Sequence, residues 1–259
     1  PLPIDGGSPD RDGLEAVARR GRPVVLAPAA RDAVRASRHV VDDAVARGAV
    51  VYGVTTGFGN FADVHVPLDR LRELQLNLLR SHAAGVGAPL GAQETRALVL
   101  LRANVLAKGF SGVRLETLEL LVELLNRRVH PVVPSQGSVG ASGDLAPLAF
   151  EGRRLSGAVG LHAAGLRPLV LEPKEGLALI NGTQLMTAVG GLAVAEARRL
   201  ARSADVVGAL TLDALEGTDV AFDPRIHAAR PHPGQAASAR NLRRLLAGSA
   251  VRESHRECG

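Results

Sequence analysis

The chain of 259 residues has no tryptophan, one tyrosine, five phenylalanines, one methionine and one cysteine. Aromatic residues at 2% leave too few flat rings for the stacking platforms on which single-stranded nucleic acid is bound. The lone Cys258 cannot close an internal disulfide, which agrees with a reducing compartment. Lysine is scarce as well, with only Lys108 and Lys174, so nearly all the positive charge is arginine. The net charge of +5 and the high pI raise the question of a nucleic-acid partner. The arginines alternate with Asp and Glu along helical patterns and form no basic stripe, so no nucleic-acid partner is expected. Apolar runs such as "ALVLL" are cut by arginine within a few residues, and no membrane span is expected. The first residues, "PLPIDGGSPDRDG", show neither the basic start nor the apolar core of a secretory signal, so a cytoplasmic location is expected.

What is present is helical periodicity. "DRDGLEAVARR", after Ser8 and Pro9 as cap and first turn, reads as a helix stopped by Gly21; "PVVLA" reads as a short strand, and "PAARDAVRASRHVVDDAVARG" as a helix ending at Gly48. A strand-like "AVVYGV" leads into the loop "TTGFGNFADVHV". Three amphipathic helices follow in "PLDRLRELQLNLLRSHAAG", "AQETRALVLLRANVLAKG" and "RLETLELLVELLNRRV". Asp144 is placed to cap a helix with Pro147 in its first turn, and "EGRRLSGAVGLHAAGLRPLVLEPKEG" reads as turns or a short hairpin. A long helix starts near "NGTQLMTAVGG", with a kink allowed for, and "FDPRIHAARPHPGQ" connects it to "AASARNLRRLLAGS". The expectation is a single, mainly α body over 1–259 whose chemistry lies in the loops between helices.

Four of those loops are candidates. Tyr52, before a glycine-rich turn, is either a buried anchor for its loop, the commoner case, or a general base if its phenol is acidified. His82 continues the stripe Leu71, Leu74, Leu78, which makes it a core histidine more often than a substrate contact. Asn181 and Gly182 fall at a helix start with Thr183 and Gln184 next, where capping by the Asn or the Thr explains them and a carboxylate site is the alternative. His232, between two prolines, reads as a rigid turn. Metal-ligand spacing and phosphate-binding glycine motifs are both missing.

The stretch "GSVGASGDLAPLA" needs a use for smallness itself. The Gly143 nitrogen can attack the Ala141 carbonyl carbon if the backbone bends tightly, because Ala, Ser and Gly leave that approach open. Loss of water from the new five-membered ring and from Ser142 leaves an exocyclic methylene conjugated to a carbonyl. Such a ring is an electrophile, which the ordinary side chains do not provide. A helix starting at Asp144 would direct its positive end towards it.

With "YGVTTGFG", "NLLRSHAAGVG", "KEGLALINGTQ" and "HPGQ" in the same order, this stretch resembles the aromatic amino acid ammonia-lyases from near Val24 to Gly259. The resemblance implies an ammonia-lyase (fumarase/aspartase-like) fold, mainly α, with a loop-rich N-terminal region and a central long-helix bundle beginning near residue 182. It implies that Ala141-Ser142-Gly143 cyclise unaided to 4-methylidene-imidazol-5-one (MIO), with no metal or external cofactor. Tyr52 would then be the base, and Asn181, His82, Ser81 and Gly59 would contact the substrate. The dipeptide Ser81-His82 is similar to that of the histidine branch, which implies deamination of L-histidine to trans-urocanate and ammonia, in histidine degradation, by a homotetramer. Other MIO lyases and aminomutases of tyrosine or phenylalanine, a catalytically inert fragment, and a nucleic-acid-binding module are the alternatives.

Three departures accompany the resemblance. Thr55 stands where many histidine enzymes have Asn. The sequence passes from Ala149 almost at once to "FEGRRLSG", where the family helix continues for about three more turns. It also ends before the family's Gln-Asp-x-Tyr-Ser loop, so roughly half the usual length is expected to be missing, including a glutamate at the substrate.

Overall fold

The computed structural model describes residues 1–7, 9–138, 145–148 and 157–254. The chain divides into two compact units, Pro1–Leu192 and Ala193–Gly259.

The first unit opens with strand β1 (Leu2–Ile4), helix α1 (Arg11–Arg20), strand β2 (Val24–Leu26) and helix α2 (Pro28–Ala46). Asp10 caps α1 by accepting from the Gly13 N–H at 2.7 Å, and Gly21 ends it in the left-handed region at φ 67°. Ser8, the cap expected from sequence, lies outside the described residues. β1 pairs with β2 in parallel, Leu2 opposite Val24. Three residues with a central proline gave β1 no sequence signal.

Helices α3 (Leu71–His82), α4 (Ala92–Leu106) and α5 (Leu115–Asn126) follow, with strand β3 (Val86–Pro89) between the first two and strand β4 (Pro134–Gln136) after the third. α4 is apolar nearly all round and therefore central: Ala97, Leu98, Leu100, Ala103 and Leu106 are fully buried, with α1 and α5 packed on it. β3 and β4 pair antiparallel, Val86 opposite Gln136 and Pro89 opposite Pro134, an arrangement the sequence did not announce.

Short helices α6 (Leu145–Leu148), α7 (Gly157–Ala163) and α8 (Glu175–Ile180) lead to α9 (Gln184–Ala214), assigned as one continuous helical element. Two sequence expectations are corrected here. "AVVYGV" is not a strand: the Thr55 hydroxyl takes the Val51 N–H at 2.9 Å and donates to the Ala49 carbonyl at 2.6 Å, replacing ladder bonds with local ones, and Gly53 turns the chain at φ 69°. The stretch read as turns or a hairpin contains α7. Glu175–Ala214 contains a window long and apolar enough to cross a membrane, a test that core helices also pass; in this stretch Ile180, Leu185, Ala188 and Leu192 are buried in the core. Asp144, expected to cap α6, lies outside the described residues.

In the second unit, the rest of α9 is joined by α10 (Pro224–Ala228), α11 (Pro233–Leu246) and α12 (Ala250–Ser254). Ala209, Ala239 and Leu246 are buried there, and Asn241 donates to Asp205 at 2.9 Å.

Candidate active site

Helix α8 is held by a buried polar clasp. Glu175 is 0% exposed, and its carboxylate accepts from the Arg114 side chain, the Thr117 hydroxyl at 2.6 Å, and the backbone N–H groups of Arg114 and Glu172 at 2.9 and 2.8 Å. Burial alone would raise its pKa, but the Arg114 pair and the converging donors outweigh it and hold the carboxyl below the usual carboxylate range. From the other side the buried Gln75 of α3 accepts from the Gly176 N–H at 2.9 Å. A side chain at Gly176 would sit 3.1 Å from the Gln75 carbonyl, so the close approach of α8 to α3 depends on glycine.

Three loops converge on α8. The Tyr52 loop reaches it through Gly53, where an added Cβ would lie 3.0 Å from Leu177. β3, just after His82, is paired with β4, just before residues 137–144. α6, which follows those residues, packs on both β4 and α8. Phe58, Leu79, Ala83, Leu145, Leu148, Leu177, Ala178 and Ile180 accordingly share one apolar cluster. The described flanks of the "GSVGASGD" segment, β4 before it and α6 after it, thereby lie against each other, with α6 also against α8. Ala141, Ser142 and Gly143 themselves lie outside the described residues.

Tyr52 is 55% exposed, which corrects the reading of it as a buried anchor. Its ring meets Phe58 edge-on with centroids 6.3 Å apart, and among the described residues its hydroxyl accepts one long bond, from the Gly59 N–H at 3.4 Å. Gly59, at φ 55°, thus touches the phenol. The loop beneath is fixed by the buried Thr55 and Thr56, the latter accepting from Gly53 N–H at 3.3 Å.

His82 is half-buried at the end of α3, less enclosed than the core histidine its stripe suggested. Its Nδ1 lies 2.9 Å from the Leu78 carbonyl. A carbonyl can only accept, so Nδ1 carries the proton and, in the neutral ring, Nε2 keeps its lone pair free. The Ser81 hydroxyl donates to the same carbonyl at 2.8 Å and lies 3.0 Å from Nδ1, which fixes the imidazole further.

Asn181 is not the cap of α9. It ends α8, its N–H donating to Leu177 at 3.0 Å, and Thr183 occupies the capping position, its carbonyl accepting from Thr187 N–H at 3.1 Å. The Asn181 carbonyl accepts from Arg102 Nη1 at 2.9 Å, and the same nitrogen donates to Gln184 Oε1 at 2.8 Å. Arg102 is 4% exposed, and burial lowers its pKa to about 10.

The aromatic amino acid lyase profile matches residues 10–259. The chain belongs to the aromatic amino acid lyase family. It is similar to the histidine ammonia-lyase of Koribacter versatilis (strain Ellin345), 55% identical over 270 residues that cover 99% of this chain and 52% of that protein. The histidine ammonia-lyase of Sorangium cellulosum (strain So ce56) is 52% identical, covering 95% of this chain and 51% of its own. Among solved structures, tyrosine aminomutase from Streptomyces globisporus superposes with TM-score 0.91 at 38% identity, covering 97% of this chain and 50% of that one. Histidine ammonia-lyase from Trypanosoma cruzi gives 0.85 at 39%, covering 93% and 49%. The chain spans about half the length of the curated relatives it matches.

The likeness to aromatic amino acid lyases accounts for the mainly α fold expected from sequence. Sequence reasoning missed Arg102, Gln75 and Glu175, the buried polar residues that hold α8 and its Asn181 end. A signal existed in "ALVLLRANVL", where an arginine interrupts a run otherwise made for the core.

Proposed function

We propose that the protein takes part in the non-oxidative deamination of L-histidine to trans-urocanate and ammonia. The observation that carries this reading is the convergence of the Tyr52 loop, the His82 end of α3, the flanks of residues 137–144 and the Asn181 end of α8 on one apolar cluster. The MIO ring, formed from Ala141-Ser142-Gly143 with loss of two waters, supplies an electrophile that activates the substrate for loss of ammonia. The remaining work falls to side chains. His82 Nε2 accepts from the substrate imidazole N–H, which selects histidine over phenyl side chains that offer no donor. The Tyr52 phenol takes the β-proton, and its exposure leaves it accessible to substrate. Asn181 donates to the substrate carboxylate, with Ser81 fixing His82 and Gly59 fixing the phenol.

In this reading residues 1–259 form the N-terminal and MIO-bearing region, with the central bundle starting near residue 182. The exposed apolar residues Val194, Leu200, Val206, Val207 and Leu210 along α9 support assembly with further helices of the same protein, consistent with a homotetramer in the cytoplasm.

Intact mass and peptide mapping test the ring: a deficit of two waters confined to residues 141–143 is expected, and the full calculated mass refutes it. Urocanate formation, followed by ultraviolet absorbance, tests the substrate. Exchange of His82 for Leu should abolish it while leaving the mass deficit intact. The half-length coverage of the relatives favours one second reading, a chain whose site is completed by other segments or copies. Such a chain alone shows the mass deficit but releases no ammonia.

A further inference from the structure

Arg102 is buried without a carboxylate partner among the described residues, and its Nε has no hydrogen-bond partner. Buried arginines usually sit against a carboxylate, because an unpaired charge loses its hydration for no return. Here the guanidinium instead joins two backbone segments. One nitrogen, Nη1, binds the carbonyl that ends α8 and the Gln184 side chain in the first turn of α9. A Cβ at Gly182 between them would lie 2.4 Å from that nitrogen and 2.1 Å from Gln184 Oε1, so a side chain there would push the ends of Arg102 and Gln184 out of this arrangement. A cation suits the end of α8 but opposes the positive start of α9. The Arg102 charge is felt as far as Lys174 at the other end of α8, whose pKa is lowered first by burial and then by Arg102. The excess positive charge is offset when an anion occupies the turn, and Asn181, whose side chain is exposed, stands at its opening.

We propose that Arg102 is a positioning residue: by clamping the α8–α9 turn it sets the direction of the Asn181 amide for a carboxylate-bearing substrate. This rests on the reading of Asn181 given above. The two are separated by a double-mutant cycle in the whole protein, combining Arg102→Gln with Asn181→Ala and measuring kcat/KM for L-histidine. Arg102→Gln is expected to lower kcat/KM at least tenfold when Asn181 is present and less than twofold when it is Ala. Hydrogen exchange supplies a readout independent of turnover: the peptide spanning residues 177–187 should exchange at least tenfold faster in Arg102→Gln, with peptides from α1 unchanged. Equal losses in both backgrounds, or faster exchange in α1 to the same degree, overturn the proposal and make Arg102 a general stability residue. An Asn181→Ala protein with unchanged kcat/KM removes Asn181 from the substrate site, and the exchange measurement then decides alone whether Arg102 holds the turn. If Arg102→Gln does not fold, Arg102→Lys, which keeps the charge but is shorter in reach, enters the same cycle with the same criterion.

Discussion

Replacing Glu175 with Gln removes one charge and turns one acceptor into a donor while changing almost no volume. The wild-type oxygens face only donors: Oε1 accepts from Arg114 N–H at 2.9 Å and Thr117 at 2.6 Å, and Oε2 from Arg114 Nη2 and Glu172 N–H, both at 2.8 Å. With its NH2 group in the Oε2 place the Gln amide meets the two obligate donors Arg114 Nη2 and Glu172 N–H, and in the Oε1 place it meets the Arg114 N–H while the Thr117 hydroxyl can turn to accept, so either way at least one bond is lost. Breaking a buried charge pair costs about 3–5 kcal/mol, and because Arg114 retains some contact with water the lower end, about 3 kcal/mol, applies. For a unit of this size that is a fall in Tm of roughly 6–12 °C. The pH dependence carries a sign. The folded carboxyl lies below its ordinary 4.5, so its contribution is complete above that value and declines as pH falls through 4.5 towards the folded pKa, where the unfolded chain takes up the proton first. Urea denaturation at neutral and acid pH measures both effects: a gap of about 3 kcal/mol between wild type and Glu175→Gln at neutral pH should narrow in acid. A gap under about 1 kcal/mol at neutral pH, or one that does not narrow, refutes the account of the clasp.

Gly112→Ala places a Cβ 2.4 Å from Val41 Cγ2 at a residue with φ 69°, so overpacking and a forbidden backbone region should together cost about 2–3 kcal/mol in denaturant titrations. Tyr52→Phe removes a hydroxyl whose one bond among the described residues is 3.4 Å long, so stability should stay within about 0.5 kcal/mol. If that phenol is the base, ammonia release in the same variant falls about 10²–10⁴-fold, as a rate assay will show. Leu210→Glu puts a charge on an apolar residue that is 66% exposed; sedimentation should show smaller assemblies with helix content retained, and an unchanged assembly removes this part of α9 from the subunit contact.

Helices α1, α2, α3 and α5 were legible because each buries one stripe and periodicity records that burial; α4 was expected as an amphipathic helix, and the structure corrects this, since it is buried nearly all round as the central helix. "AVVYGV" misled for the same reason: alternation and β-branched residues describe a surface that fits a sheet, but a strand exists only where a partner offers bonds. Here the Thr55 hydroxyl satisfies the Val51 N–H locally, so no partner is needed. β1, β3 and β4 were illegible in the opposite sense, since three or four residues rich in proline and glycine form strands only because distant segments lie alongside them.

The candidate site divides along a similar line. Its loop residues were found through motif likeness, and their spacing alone favoured quieter readings: a buried Tyr52, a cap at Asn181. Exposure of the phenol and the place of Asn181 at the end of α8 depend on contacts between segments far apart in sequence. Arg102 and Asn181 are joined across 79 positions, and Arg114 and Glu175 across 61. Periodicity reports a residue's face and is silent about which distant group meets it. What the sequence does carry is the anomaly: an arginine in an apolar helix, and a glutamate before "GLALI", each costly to bury unless something is held in place by it. Because Glu175 and Arg102 grip opposite ends of the six-residue α8, loosening either should move Asn181 more than any substitution of the apolar residues between them.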